Sequence, residues 1–156
     1  MAAIFISFST DDGNDIAGHV YRYLTNKLGH TVFYYPEESR DGYDWRNEIQ
    51  KKIEECNFFL LIATKEAIYS GEVNGEVAQA IRQQKRIIPC KHEKVQWSDL
   101  ETLSIYSIRG PEFRNEYELT RKLPEFNVEP DQYEPPSISP SGDEDYEDDS
   151  DSEEQQ

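Results

Sequence analysis

Asn57 to Ile81 reads NFFLLIATKEAIYSGEVNGEVAQAI, and two periodicities meet inside it. Phe58 to Ala63 is an unbroken apolar run of six residues, far short of the roughly 20 that a membrane-spanning helix needs. Set off by Asn57, it reads as a strand buried on both faces, at the centre of a sheet. Thr64 to Gly71 reads as a loop. Beyond it Val73, Val77, Ala80 and Ile81 recur at helical steps and make the apolar side of a helix. A doubly buried strand followed by an amphipathic helix is the start of a βαβ unit, which predicts a parallel sheet.

The same alternation extends in both directions. Ala3 to Ser9 (AIFISFS) is strand-like and ends in small polar residues. Asp11 to Asn14 offers several N-caps, and Ile16, Val20, Leu24 and Leu28 then form a helical stripe that Gly29 stops. Thr31 to Tyr35 is a second strand, Pro36 to Gly42 a polar exposed loop, and Trp45, Ile49 and Ile53 mark a helix reaching about Cys56. On the other side, Arg86 to Lys91 (RIIPCK) reads as a strand in which Pro89 suggests an end or a bulge. His92 to Leu103 is ambiguous. Ser104 to Ile108 reads as a fifth strand, and Pro111 to Leu123 as a final helix with proline at its start. The fold class is therefore α/β, a five-stranded, mainly parallel sheet with helices on both faces. In such sheets ligands bind at the carboxyl ends of the strands, which here gather Ser9 to Gly13, Tyr35 to Tyr43 and Thr64 to Glu76.

Charge divides the 156-residue chain in two. Residues 1–123 carry 19 acids against 16 Lys and Arg, whereas residues 124–156 carry 13 acids and no base. The second part, rich in Pro, Ser, Asp and Glu, buries too little apolar area to offset its ordering entropy and reads as a disordered tail behind a folded domain over 1–123. A net charge of −16 argues against nucleic acid as a partner, because phosphate binding needs a concentrated basic surface. Without a signal peptide or a spanning segment, the expected location is cytoplasmic and no membrane partner is expected. Cys56 and Cys90 read as reduced structural thiols, and His19, His30 and His92 lie too far apart to predict a metal site. No GxxxxGK[ST], GxGxxG or GxSxG motif occurs, which argues against a kinase, GTPase, dehydrogenase or esterase.

Three boxes then stand in order: Phe5-Ile-Ser-Phe-Ser-Thr-Asp-Asp12 at the first strand exit, Arg40-Asp-Gly-Tyr-Asp-Trp45, and Ser70 followed six positions later by Glu76. Together they resemble the Toll/interleukin-1 receptor (TIR) domain over about residues 3 to 123. The resemblance implies a flavodoxin-like fold and one of two activities. Some members of that family pair with other TIR domains; others cleave the nicotinamide–ribose bond of NAD+ with the glutamate that matches Glu76. It thus implies Glu76 as the catalytic residue of an NAD+ hydrolase active on self-assembly in immune or stress signalling, with a linear or cyclic ADP-ribose product and NAD+ as substrate rather than cofactor. A non-catalytic adaptor for other TIR domains is the alternative.

On the same expectation, Phe8 and Ser9 line the nicotinamide and ribose, Arg40 meets the pyrophosphate, and Tyr43 or Trp45 stacks on a ring. Trp45 also heads its helix's apolar stripe, so core packing stays open for it. Pro36, Asp41 and Gly42 in the second loop are the expected self-association contacts. Where the family commonly carries an aromatic between the serine and the glutamate, this chain has Glu72, one turn before Glu76 and expected on the same helix face. A receiver-like phosphate-accepting domain shares the βα pattern, but it needs an aspartate ending the central strand, and Thr64 follows Ala63.

Overall fold

In the computed structural model β3 (Phe58–Ala63) is buried along its whole length and holds the middle of a five-stranded sheet. Residues 2–35, 46–105 and 107–126 are described, together with two-residue strands at Asp151–Ser152 and Glu154–Gln155 that pair antiparallel. Around β3 the order is β2 (Thr31–Phe33), β1 (Ala3–Ser7), β3, β4 (Arg86–His92), β5 (Glu112–Phe113), and every pair is parallel.

Strand alternation sends side chains to two separate cores. Phe5, Phe59, Leu61 and Ala63 meet α2 (Arg46–Glu55) through Ile49 and Ile53, and α4 (Gly71–Arg82) through Val73, Val77 and Ala80. Ile4, Ile6, Phe8, Leu60 and Ile62 meet α1 (Asn14–Arg22) through Ala17 and Val20, and α5 (Glu116–Lys122) through Leu119. No helix among the described residues is long and apolar enough to cross a membrane.

Several expected elements change. The Thr64 to Gly71 loop contains a short helix, α3 (Lys65–Tyr69), capped by the Thr64 side chain, which accepts from the Ala67 N–H. The first helix widens over Tyr23–Lys27 into a π-type turn. Thr25 Oγ1 donates to the Tyr21 carbonyl at 2.8 Å, competing with the backbone donor for that acceptor. One added residue rotates the remainder of the helix by about 100°, so Leu28 leaves the stripe and is 44% exposed. Gly29 ends the helix as expected, at φ +74°.

The described residues of the expected Ser104–Ile108 strand form none. Trp97–Leu103 winds as a 3-10 helix that ends at Ser104 in the left-handed region, and Leu100, Leu103 and Ile105 enter the core of the α2/α4 face. The fifth strand lies later, at Glu112–Phe113, and the final helix starts at Glu116 behind the Asn115 cap rather than at Pro111.

Pro89 sits inside β4, neither ending nor bulging it. The Lys91 N–H donates to the Pro111 carbonyl at 2.9 Å, so the side on which Pro89 lacks a donor is the side where the β5 ladder has not yet begun. There Gly110 crosses so close that a Cβ would lie 2.1 Å from the Pro89 oxygen. Phe126, beyond the expected domain end, is buried edge-on to Phe58 at 5.2 Å. Of the expected disordered tail, residues 127–150, 153 and 156 lie outside the described residues.

Gly110→Ala must shift backbone, an overpacking change expected to destabilise by about 2 kcal/mol. Gly75→Ala, in α4 with nothing described within 4 Å, is expected to stabilise by up to about 1 kcal/mol. Thermal melting of the two variants should move in opposite directions.

Candidate functional site

The carboxyl end of β1 and the second turn of α4 meet at one carboxylate. Glu76 lies in the second turn of α4 and is 7% exposed. The fully buried Ser7 at the end of β1 donates its hydroxyl hydrogen to Glu76 Oε1 at 2.7 Å, across 69 residues of sequence. A buried carboxylate needs such a donor, and a buried hydroxyl inside an apolar strand needs such an acceptor.

The helix that carries Glu76 is fixed at its start. Ser70 caps α4 by accepting from the Val73 N–H at 3.2 Å. Asn74 Nδ2 donates to the carbonyls of Ser70 (2.8 Å) and Ile68 (3.1 Å), bracing the corner between α3 and α4. The exit of β1 is tied to the start of α3. Thr64 Oγ1 donates to Asp12 Oδ1 at 2.6 Å, and Asp12 Oδ2 accepts the Glu66 N–H at 3.1 Å. One carboxylate thereby bonds both the cap residue and the first turn of α3, where an anion suits the free N–H groups.

The expected site residues are dispersed. Ser9 is buried beside this junction, where its carbonyl accepts from the Gly13 N–H (2.8 Å) and its hydroxyl from the Asp11 N–H (3.2 Å), shaping the turn into α1. Phe8, expected against the substrate, is 1% exposed and stacks on Tyr34 at 5.6 Å in the core of the α1/α5 face. Adjacent strand residues point to opposite faces, so Ser7 facing α4 forces Phe8 away from Glu76. Glu72, expected on one face with Glu76, is exposed while Glu76 is buried. Arg40, Tyr43, Trp45, Pro36, Asp41 and Gly42 lie outside the described residues.

Ser7 is the residue that sequence reasoning passed over. It is the single polar position within AIFIS and shares the parity of Phe5, a signal present in the sequence itself. At the end of β2, Tyr35 tilts over Phe5 with ring centroids 6.2 Å apart and donates to Glu48 Oε2 at 3.4 Å, bringing a phenol to the same face of the sheet.

Other reactive groups stand elsewhere. Lys91, buried at the end of β4, donates to the carbonyls of Val95 and His92 and lies 3.4 Å from Glu112 Oε1. It holds the 92–97 segment. Burial pushes the Cys56 thiol up to about 11 and raises Cys90 further; both are free and protonated at neutral pH, so neither offers a nucleophile. No cluster of metal-ligating side chains occurs among the described residues.

The sequence profile described as the TIR domain matches residues 4–123. This chain belongs to the TIR domain family. Solved structures agree on the fold. TIR domains of the activated Roq1 resistosome, which recognises the pathogen effector XopQ, align over 76% of this chain and 91% of theirs, at 20% identity and a TM-score of 0.61. The TIR domain of the Toll-related receptor TRR-2 from Hydra magnipapillata aligns over 78% and 92%, at 10% identity and 0.57. The Clostridium botulinum CMP N-glycosidase BcmB aligns over 77% and 95%, at 18% identity and 0.55. No curated protein matches the chain significantly.

Thr64 serves this TIR domain twice, as cap of α3 and as partner of Asp12. Thr64→Val is expected to destabilise by about 1 kcal/mol in chemical denaturation. Adding Asp12→Ala should cost less than the sum of the two single changes, because both remove the same contact.

Proposed function

We propose that this TIR domain hydrolyses NAD+ at the nicotinamide–ribose bond, with Glu76 as the catalytic carboxylate, and that self-assembly activates it. The observation that carries this reading is the buried Glu76 carboxylate held by the Ser7 hydroxyl at the carboxyl edge of a parallel sheet, the edge where such folds bind ligands. A resemblance in fold to an N-glycosidase that acts on CMP adds that the same architecture hosts cleavage of a bond between a base nitrogen and ribose. It supports the reaction class and leaves the substrate to the chemistry of the site.

The chemistry asks for little more than a placed carboxylate. The C1′–N bond of NAD+ breaks with its electron pair passing to the pyridinium nitrogen, so nicotinamide leaves neutral and needs no acid. The ribose that remains carries oxocarbenium charge, and an anion beside it stabilises the transition state. Water then adds to C1′ and loses a proton to give ADP-ribose; attack by the adenine end instead gives a cyclic product. Burial lets the carboxylate act in a medium of lower dielectric than water, where the attraction is stronger.

Assembly enters the proposal because family membership brings TIR–TIR pairing and one structural neighbour belongs to an activated resistosome. Pairing through the second loop, at Pro36, Asp41 and Gly42, would bring a partner's surface to the carboxyl edge of the sheet and make turnover depend on concentration.

Full-length protein incubated with NAD+ at rising concentration and with a crowding agent should release nicotinamide with a rate per protomer that climbs with concentration. Glu76→Gln, with an unchanged melting profile, should lower release by about 10²-fold or more, the size of effect seen when one electrostatic contact to a transition state is removed. Absence of release from assembled wild type would overturn hydrolysis and leave the adaptor reading.

A further inference from the structure

We propose that Ser7 is the positioning residue for Glu76: its hydroxyl fixes the carboxylate's plane and holds it in the ionised form, so the lower pH limit of the site is set from β1. Ser7 is fully buried, Glu76 nearly so, and the 2.7 Å separation is that of a short, charge-assisted hydrogen bond. The strand that carries Ser7 is itself immobilised. β1 is paired on both sides, with β2 and β3, and Ser7 stands in register with Leu61 of the central strand. The donor is thus fixed to the sheet while the acceptor rides on a helix, and the bond sets where the helix places its carboxylate.

The hydroxyl distinguishes two protonation states. A serine O–H donating to a carboxylate stabilises the anion and lowers its proton affinity, whereas burial of that anion acts in the opposite direction. The two effects meet at one atom, Glu76 Oε1. The described elements packed on α4 bring Arg46, Glu48, Lys51, Lys52, Glu54 and Glu55 from α2, Lys65 and Glu66 from α3, and Asp99 and Glu101 from the 3-10 helix; α4 itself brings Glu72 and Arg82, and β1 brings no charge. All of these persist when Ser7 is changed, so a difference between wild type and Ser7→Ala isolates the hydroxyl.

The experiment titrates Glu76 by NMR of 13C-labelled glutamate carboxyls in the full-length protein, with Glu76→Gln identifying the resonance, and measures kcat and KM for NAD+ across the same pH range. The kinetic half rests on the function proposed above; the titration half does not. Ser7→Ala is expected to raise the Glu76 midpoint by about one unit. It should move the acidic limb of kcat upward by the same amount and lower kcat about tenfold at neutral pH with KM nearly constant, because orientation in the transition state is lost rather than binding. Ser7→Thr, which restores the hydroxyl, should return the midpoint toward the wild-type value. Should Ser7→Ala fail to fold, Ser7→Cys keeps the volume with a weaker donor and should show a smaller shift in the same direction.

A midpoint unmoved in a folded variant lacking the hydroxyl overturns the proposal, as does a shifted midpoint with kcat unchanged in an active protein. A shifted midpoint in a protein whose wild type releases no nicotinamide rejects NAD+ hydrolysis and supports the Ser7–Glu76 coupling, so the two failures are distinguishable.

Discussion

A strand with six consecutive apolar side chains has no face to give to water, and the architecture grows from that constraint. β3 can be satisfied only between two other strands with a helical layer on each side. Burying the five large side chains, at about 2 kcal/mol each, and Ala63 with them requires α2 and α4 on one face and α1 and α5 on the other. The alternation that separates Phe59, Leu61 and Ala63 from Phe58, Leu60 and Ile62 also operates in β1, which pairs with β3 in parallel. It is what turns Phe5 and Ser7 toward α4 and Phe8 toward α1.

The candidate site is therefore a departure from the packing rule rather than an addition to the surface. Where the parity of β1 calls for one more apolar side chain against α4, the chain places a serine; where α4 calls for an apolar partner, it places a glutamate. The two satisfy each other. The same edge is stitched by Asp12, which bonds both Thr64 and the Glu66 N–H, and by Asn74, which holds the α3–α4 corner. A side chain carried on helices and strands is held to a more precise geometry than one on a loop. The arrangement sets one buried carboxylate apart from exposed neighbours on the same helix such as Glu72.

Much of this was legible in the amino-acid order, and the exceptions have physical causes. Periodicity identified β1, β3, α2 and α4 because each buries a full stripe or a full strand. It misplaced the fifth strand because Leu103 and Ile105 are apolar for a different reason, as buried residues of a 3-10 helix and its end. It missed α3 because five residues are too few to display a helical stripe; only the Thr64 cap announced it. It kept Leu28 inside because a π-type turn leaves no mark on spacing. The box containing Ser70 and Glu76 pointed to the catalytic candidate, whereas the partner Ser7 required strand parity to be carried to the end of β1. The same parity puts Phe8 in the core of the opposite face.

Cys56 and Cys90 belong to different cores, one beneath α2 and α4, the other beneath α1 and α5. The sheet stands between them, so oxidation cannot join them within a folded molecule. Each thiol meets an alkylating reagent only when its own layer parts from the strands. The pair is a built-in double gauge of breathing, able to tell whether the helices over one side of the sheet lift before those over the other.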